Sequence, residues 1–112
     1  MHVTARSWAE ISPLDLTLDA IRAMHSPASH YAIRPNRYDA GVAVSGRSMA
    51  GRLYVLEGSC SRTVGPWTAM LRKGMFVDYS AGAYEFKVLG MSEVRLVNVW
   101  LLPERLWAAD DR

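Results

Sequence analysis

The sequence predicts an all-β domain, a sandwich or small barrel, with a short helix at its N-terminal end. Short runs rich in Val, Leu, Tyr and Trp recur from Tyr31 to Leu102, each closed by glycine, proline or polar residues, as strands with turns between them would be. Half of the 112 residues are apolar, enough to fill one core and too short a chain for two. Gly74 and Gly82 bracket a short strand and a tight turn, and the ionisable Glu85 follows three positions later.

The elements follow in order. Ser12-Pro13-Leu14-Asp15 reads as a helix start: Ser12 can cap, Pro13 suits the first helical position, and Asp15 favours the positive end of the dipole. Leu14, Leu18 and Ile21 recur at helical spacing, although Leu14, Leu16 and Leu18 also alternate as a strand would. A helix ending near Met24, before Ser26-Pro27, is favoured, lying outside the sheets. Tyr31–Arg34 is a short strand stopped by Pro35-Asn36. Tyr38–Val44 alternates, and Gly46-Arg47-Ser48 with Gly51 marks a loop or hairpin. Arg52–Glu57 is the clearest strand, ended by Gly58-Ser59. Thr63-Val64 and Trp67–Leu71 pair around Gly65-Pro66. Met75–Tyr79, Tyr84–Leu89 and Val94–Leu102 complete the set, and residues from Glu104 to Asp111 form a terminal helical turn with Leu106 and Trp107 packing back. The expected organisation is an N-terminal segment over 1–30, a barrel over 31–103 and a tail over 104–112.

Composition narrows the function classes. A formal charge of +2, with scattered arginines and only Lys73 and Lys87 as lysines, offers no basic patch for nucleic acid. No apolar run reaches the ~18 residues of a membrane span, and the N-terminus has charged residues around Trp8 in place of a signal-peptide apolar region. Cys60 is the single cysteine, so no internal disulfide forms and a reducing cytoplasm is expected. With no histidine placed beside it, Cys60 reads as a small semi-buried side chain rather than a nucleophile.

The Gly74–Gly82 frame resembles the second motif of the cupin family, G-x5-P-x-G-x2-H-x3-N. Both glycines are kept; Ser80 stands at the proline, Glu85 at the metal-binding histidine and Leu89 at the asparagine. Leu53-Tyr-Val-Leu-Glu-Gly58 resembles the strand closing the first motif, G-x5-H-x-H-x3,4-E-x6-G. Anchored on Gly58, the glutamate position falls on Gly51 and the histidine positions on Ser45 and Arg47; anchored on Gly41, the histidine positions fall on Arg47 and Met49. Both anchors put Arg47 in the site and neither puts a histidine there. The resemblance spans roughly Tyr31 to Pro103. It implies a cupin-like jelly-roll β-barrel, and dimers formed by sheet extension, as is common in the family.

A metal site needs three or four His, Asp, Glu or Cys donors. The frame offers Glu85 alone, with the Arg47 cation opposing a metal, so no cofactor and no metal ligand is expected. His2, His25 and His30 precede the barrel motifs, and His25 and His30 could lean over its mouth. If Glu85 holds the histidine position it points inward, and Arg47 would meet it from the facing strand, as a structural ion pair or as a ligand clamp. Lys87 shares the parity of Glu85, Asn98 interrupts an apolar strand, and Tyr38 can face either way.

The leading expectation is a metal-independent small cupin, a homodimer in the cytoplasm, that binds a small polar or anionic molecule. Arg47 would anchor the charge, with Glu85, Asn98 and Lys87 around the ligand. The alternative is a metal-free isomerase or cyclase of a biosynthetic pathway with Glu85 as general acid/base. A metal-dependent oxygenase using Glu85, His25 and His30 is a third reading, and a structural or regulatory dimer with a side-chain-filled pocket is a fourth.

Overall fold

The structure is a computed structural model that describes residues 4–107. The strands in chain order are β1 (Arg6–Ser7), β2 (Tyr31–Tyr38), β3 (Ala43–Ser48), β4 (Gly51–Glu57), β5 (Ser59–Val64), β6 (Trp67–Arg72), β7 (Met75–Tyr79), β8 (Gly82–Leu89) and β9 (Val94–Leu101). They form a five-stranded sheet in the order β1-β7-β4-β9-β2 and a four-stranded sheet in the order β3-β8-β5-β6. All pairings are antiparallel. The sheets face each other as the two halves of a jelly roll, and no ladder joins them among the described residues.

Alternation along each strand decides what fills the space between the sheets. Leu53 and Val55 of β4, Val77 of β7, Phe86 and Val88 of β8, and Val94 and Leu96 of β9 form that core. The opposite parity of the large sheet faces outward but is not wet. Tyr54, Phe76, Val97 and Val99 pack there against Trp8 and against Ile21 of helix α1 (Leu18–Met24). The N-terminal segment is therefore part of the fold: β1 adds a strand beside β7, and Trp8 is buried.

Three expectations are corrected here. The helix starts at Leu18 rather than Pro13, because Thr17 is its cap: Thr17 Oγ1 accepts from the Ala20 amide at 3.1 Å. Ser12 closes only a local turn, accepting from the Leu14 amide at 3.1 Å, while Trp8 Nε1 donates to the Leu14 carbonyl at 2.7 Å and ties that stretch to the sheet. Strand β2 runs straight through Pro35, which is allowed because β2 is an edge strand and needs no donor on its free side. The expected loop at Gly46-Arg47-Ser48 is instead the end of β3, paired with β8. At the C-terminal end, α2 (Glu104–Trp107) is a short turn whose Trp107 stacks on His30 with ring centroids 4.0 Å apart. His2 and the end of the expected terminal turn lie outside the described residues. No helix among the described residues is long and apolar enough to cross a membrane.

Candidate binding cavity

One end of the space between the sheets is not filled by apolar side chains. It opens as a cavity of about 430 Å³ between the large sheet and the small one. Strand β2 contributes Arg34, Asn36 and Tyr38, and β9 contributes Asn98 and Trp100. Tyr79 of β7 enters from the same sheet, and Arg62 of β5 and Tyr84 of β8 enter from the opposite one. Arg47, Ser48 and Met49 border it where β3 ends.

Arg62 dominates the chemistry. Its inward direction follows from its register: Cys60 faces Val88 and Arg62 faces Phe86 across the β5–β8 ladder, so Arg62 shares the face of two core residues. It is 4% exposed. Its guanidinium lies between two rings, 3.7 Å from the Tyr79 centroid and 4.2 Å from the Tyr84 centroid. Nη2 donates to Ser48 Oγ at 2.9 Å, and Nε is buried without a hydrogen-bond partner. Among the described residues no carboxylate lies within ion-pair distance of Arg62. Burial pulls its pKa down from the ordinary arginine value, but a guanidinium remains protonated in any protein environment. The protein thus holds a buried cation with no anion of its own. A smaller space of about 30 Å³ adjoins Arg62, Tyr38 and Asn98, room for one water or one oxygen of an acid group.

Tyr79 and Asn98 form the opposite wall. The Tyr79 hydroxyl donates to Asn98 Oδ1 at 3.0 Å. Burial raises the Tyr79 pKa above the usual phenol value, which keeps the hydroxyl protonated and donating. Gly51 makes this position possible: a Cβ there would sit 2.6 Å from the Val99 carbonyl oxygen and 2.8 Å from the Tyr79 hydroxyl.

The residues expected from sequence separate into two groups. Asn98 faces the cavity, and so does Tyr38, whose ring packs against Phe86 at 5.1 Å. Arg47 reaches only the rim, exposed and on the outward parity of β3. Glu85 and Lys87 do not enter the cavity. Both are exposed on the outer face of the small sheet, because Phe86 and Val88 of the same strand take the inward positions. The motif count from Gly82 is one residue out of phase with the pleat, and such an offset moves every side chain to the other face. Tyr84 is inside where Glu85 was expected. Arg47 and Glu85 form no ion pair, so that pair neither plugs the pocket nor clamps a ligand.

His25 and His30 are also displaced from the expected mouth. His30 stacks on Trp107. His25 joins a polar network on the outer, helix-covered face of the large sheet, with Nε2 2.7 Å from the Tyr54 hydroxyl. Arg52 donates to that hydroxyl at 3.3 Å and grips Asp78 through Nε at 2.6 Å and Nη2 at 3.0 Å. Burial, and then the Arg52 charge, lower the His25 pKa. Arg52 has the carboxylate that Arg62 lacks, so its charge is satisfied within the protein. Cys60 is fully buried and its thiol is pushed up to about 12 by burial, which makes it inert as a nucleophile at neutral pH.

With this geometry, comparison with known proteins is informative about the fold. No family profile and no curated protein matches the chain. Solved structures do. A conserved protein of unknown function from Streptococcus pyogenes aligns at a TM-score of 0.57 and 17% identity, covering 67% of each chain. The cupin domain of Cnp3 from Schizosaccharomyces pombe aligns at 0.56 and 23% identity, covering 67% of this chain and 56% of that one. Salicylate 1,2-dioxygenase from Pseudoaminobacter salicylatoxidans aligns at 0.54 and 16% identity over 63% of this chain and 21% of the dioxygenase. The fold is that of the cupins. The present chain spans about a fifth of that dioxygenase.

Cupins as a family imply a metal at the inward motif positions. Here those positions carry no donor set: among the described residues no three His, Cys, Asp or Glu side chains come together. The interior instead presents the Arg62 guanidinium, which repels a cation, and neutral tyrosine and asparagine groups. The residues present do not fit that metal.

Proposed function

We propose that this chain is a small-molecule binding cupin that holds an anionic organic ligand in its cavity without a metal, with Arg62 as the charge anchor. One observation carries the reading. A guanidinium that is 4% exposed, lacks a carboxylate and has a free Nε is costly to bury. Desolvating a charge costs several kcal/mol, so buried charges are normally paired. An acid group from a ligand completes this one. Arginine presents its N–H groups as a planar fork that matches a carboxylate, and charge-assisted bonds of this kind are about twice as strong as neutral ones. Tyr79 and Asn98 offer polar contacts to the body of the ligand, and Tyr84 and Trp100 offer apolar walls.

The isomerase or cyclase reading loses its residue, since Glu85 stands outside the cavity. Tyr79 does not replace it as a base, because burial keeps its proton on. The homodimer remains a proposal in the same sense: β3 is a sheet edge that a second copy could extend, and sedimentation equilibrium reads the mass directly.

Calorimetric titration with butyrate and with its neutral counterpart butyramide tests the anion reading. Butyrate is expected to bind and butyramide not, and Arg62→Met is expected to remove the difference. Equal binding of the acid and the amide by the wild-type protein overturns the reading.

A further inference from the structure

Resting on the anion reading just given, we infer that the ligand carries two acid groups at separate ends, one seated on Arg62 at the cavity floor and the other on Arg34 at the rim. The lining holds three arginines, Arg34, Arg47 and Arg62, and no aspartate or glutamate. One buried cation calls for one acid group. A second cation at the opening of the same cavity, with no carboxylate of the described residues beside it, offers a seat for another.

Arg34 is that second cation. On β2, Arg34 stands opposite Asn98 and Tyr38 opposite the core residue Val94 across the β2–β9 ladder, so Arg34 shares the inward face and lines the cavity. Its guanidinium lies 5.8 Å from the centre of the Trp100 ring, which lines the same cavity. Among the described residues its guanidinium makes one marginal hydrogen bond, Nη1 to the neighbouring Ile33 carbonyl at 3.5 Å, and no carboxylate pairs with it. Arg34 and Arg62 belong to opposite sheets, Arg34 exposed at the opening and Arg62 buried. The two charges therefore stand at different depths and on different walls. A compact ion with all its charge on one centre meets one of them; an extended dianion meets both. Arg47 is not part of this pair, because its parity on β3 is outward. The cavity of about 430 Å³ accommodates a chain of several carbons between the acid groups.

Calorimetric titration at fixed ionic strength with glutarate, butyrate and inorganic phosphate tests this on the whole chain. Glutarate is expected to bind about five- to tenfold more tightly than butyrate, the scale of one further charge-assisted contact near the surface. Arg34→Ala is expected to weaken glutarate more than butyrate, so that the two bind alike, and Arg47→Ala to leave the preference for glutarate in place. Arg34→Ala lies on an exposed strand position, and an unchanged circular dichroism spectrum verifies its fold. Equal affinity for glutarate and butyrate, a preference that survives Arg34→Ala, or phosphate binding as tightly as glutarate would each overturn the two-ended ligand while leaving the anion reading intact. If neither butyrate nor glutarate binds, both readings fall together.

Discussion

Replacing Arg62 by methionine separates a functional cation from a structural one. The favourable side of the present arrangement has three parts. Two ring faces at 3.7 and 4.2 Å each contribute up to about 2 kcal/mol when desolvated. The hydrogen bond to Ser48 at 2.9 Å adds about 1.5–3 kcal/mol, as bonds to charged groups do. Against this stands the desolvation of the charge, several kcal/mol in real proteins, and the unmet Nε donor, another ~1–3 kcal/mol. The two sides nearly cancel. Methionine keeps much of the stem volume and gains sulfur–ring contacts of about 0.3–1.5 kcal/mol. The variant is therefore expected to be as stable as the wild type or more stable by up to about 2 kcal/mol, a rise of roughly 4–8 °C in Tm for each kcal/mol in a domain this size. Binding behaves in the opposite sense. Loss of the charge partner weakens a carboxylate ligand by ~2–5 kcal/mol, or about 30- to several-thousandfold. Differential scanning calorimetry with and without 10-fold increments of glutarate reads both quantities in one series. A variant destabilised by more than about 3 kcal/mol that still gains Tm with glutarate refutes the reasoning, since Arg62 would then be a structural brace.

Further outcomes follow from the same geometry. Glu85→Gln changes an exposed side chain on the outer face of the small sheet, so Tm and glutarate affinity should both stay within about 0.5 kcal/mol of wild type; a loss of binding would return Glu85 to the site. Gly51→Ala pushes a methyl group against the Val99 carbonyl and the Tyr79 hydroxyl, and chemical denaturation should show a cost of about 1–3 kcal/mol, as overpacking does. Wild-type stability there would mean that both the Val99 backbone and the Tyr79 ring shift to make room. His25 has a folded pKa below its unfolded value, so the unfolded chain takes up the proton first on acidification. The stability tied to neutral His25 is then complete above the unfolded pKa of about 6.5 and is lost as pH falls through the folded value. The drop in Tm as pH falls below about 6.5 should be smaller in His25→Phe, and identical pH profiles would remove His25 from the account.

Most strands and turns were legible in the chain because two local signals agree there: short apolar runs rich in β-branched and aromatic residues, as in Arg52–Glu57 and Val94–Leu101, and glycine at the breaks, where Gly58 and Gly74 adopt positive φ of 85° and 87°. The jelly-roll fold was legible from the glycine frame, and the comparisons with solved cupin structures agree with it. The cavity was not legible in the same way. Strand β5 reads Ser-Cys-Ser-Arg-Thr-Val, without an apolar rhythm to assign faces. Arg62 becomes an inward residue only through its pairing opposite Phe86, a contact more than twenty positions away in sequence. The one available signal was its shared parity with Cys60 and Val64.

What the sequence determined by itself is the all-β class, most of the strands after Arg52 and the lack of histidines at the motif positions, since each depends on neighbouring residues; β1 and the second packed layer under α1 were not among them. What only the tertiary structure decided is which face each polar residue takes. Glycine spacing assigned Glu85 to the interior; packing of Phe86 and Val88 assigned it to solvent and put Tyr84 inside. Pairing between strands likewise left Arg47 at the rim and buried Arg62 beneath it. The physical reason is that a pleated strand offers two equivalent faces, and only burial against another sheet chooses between them.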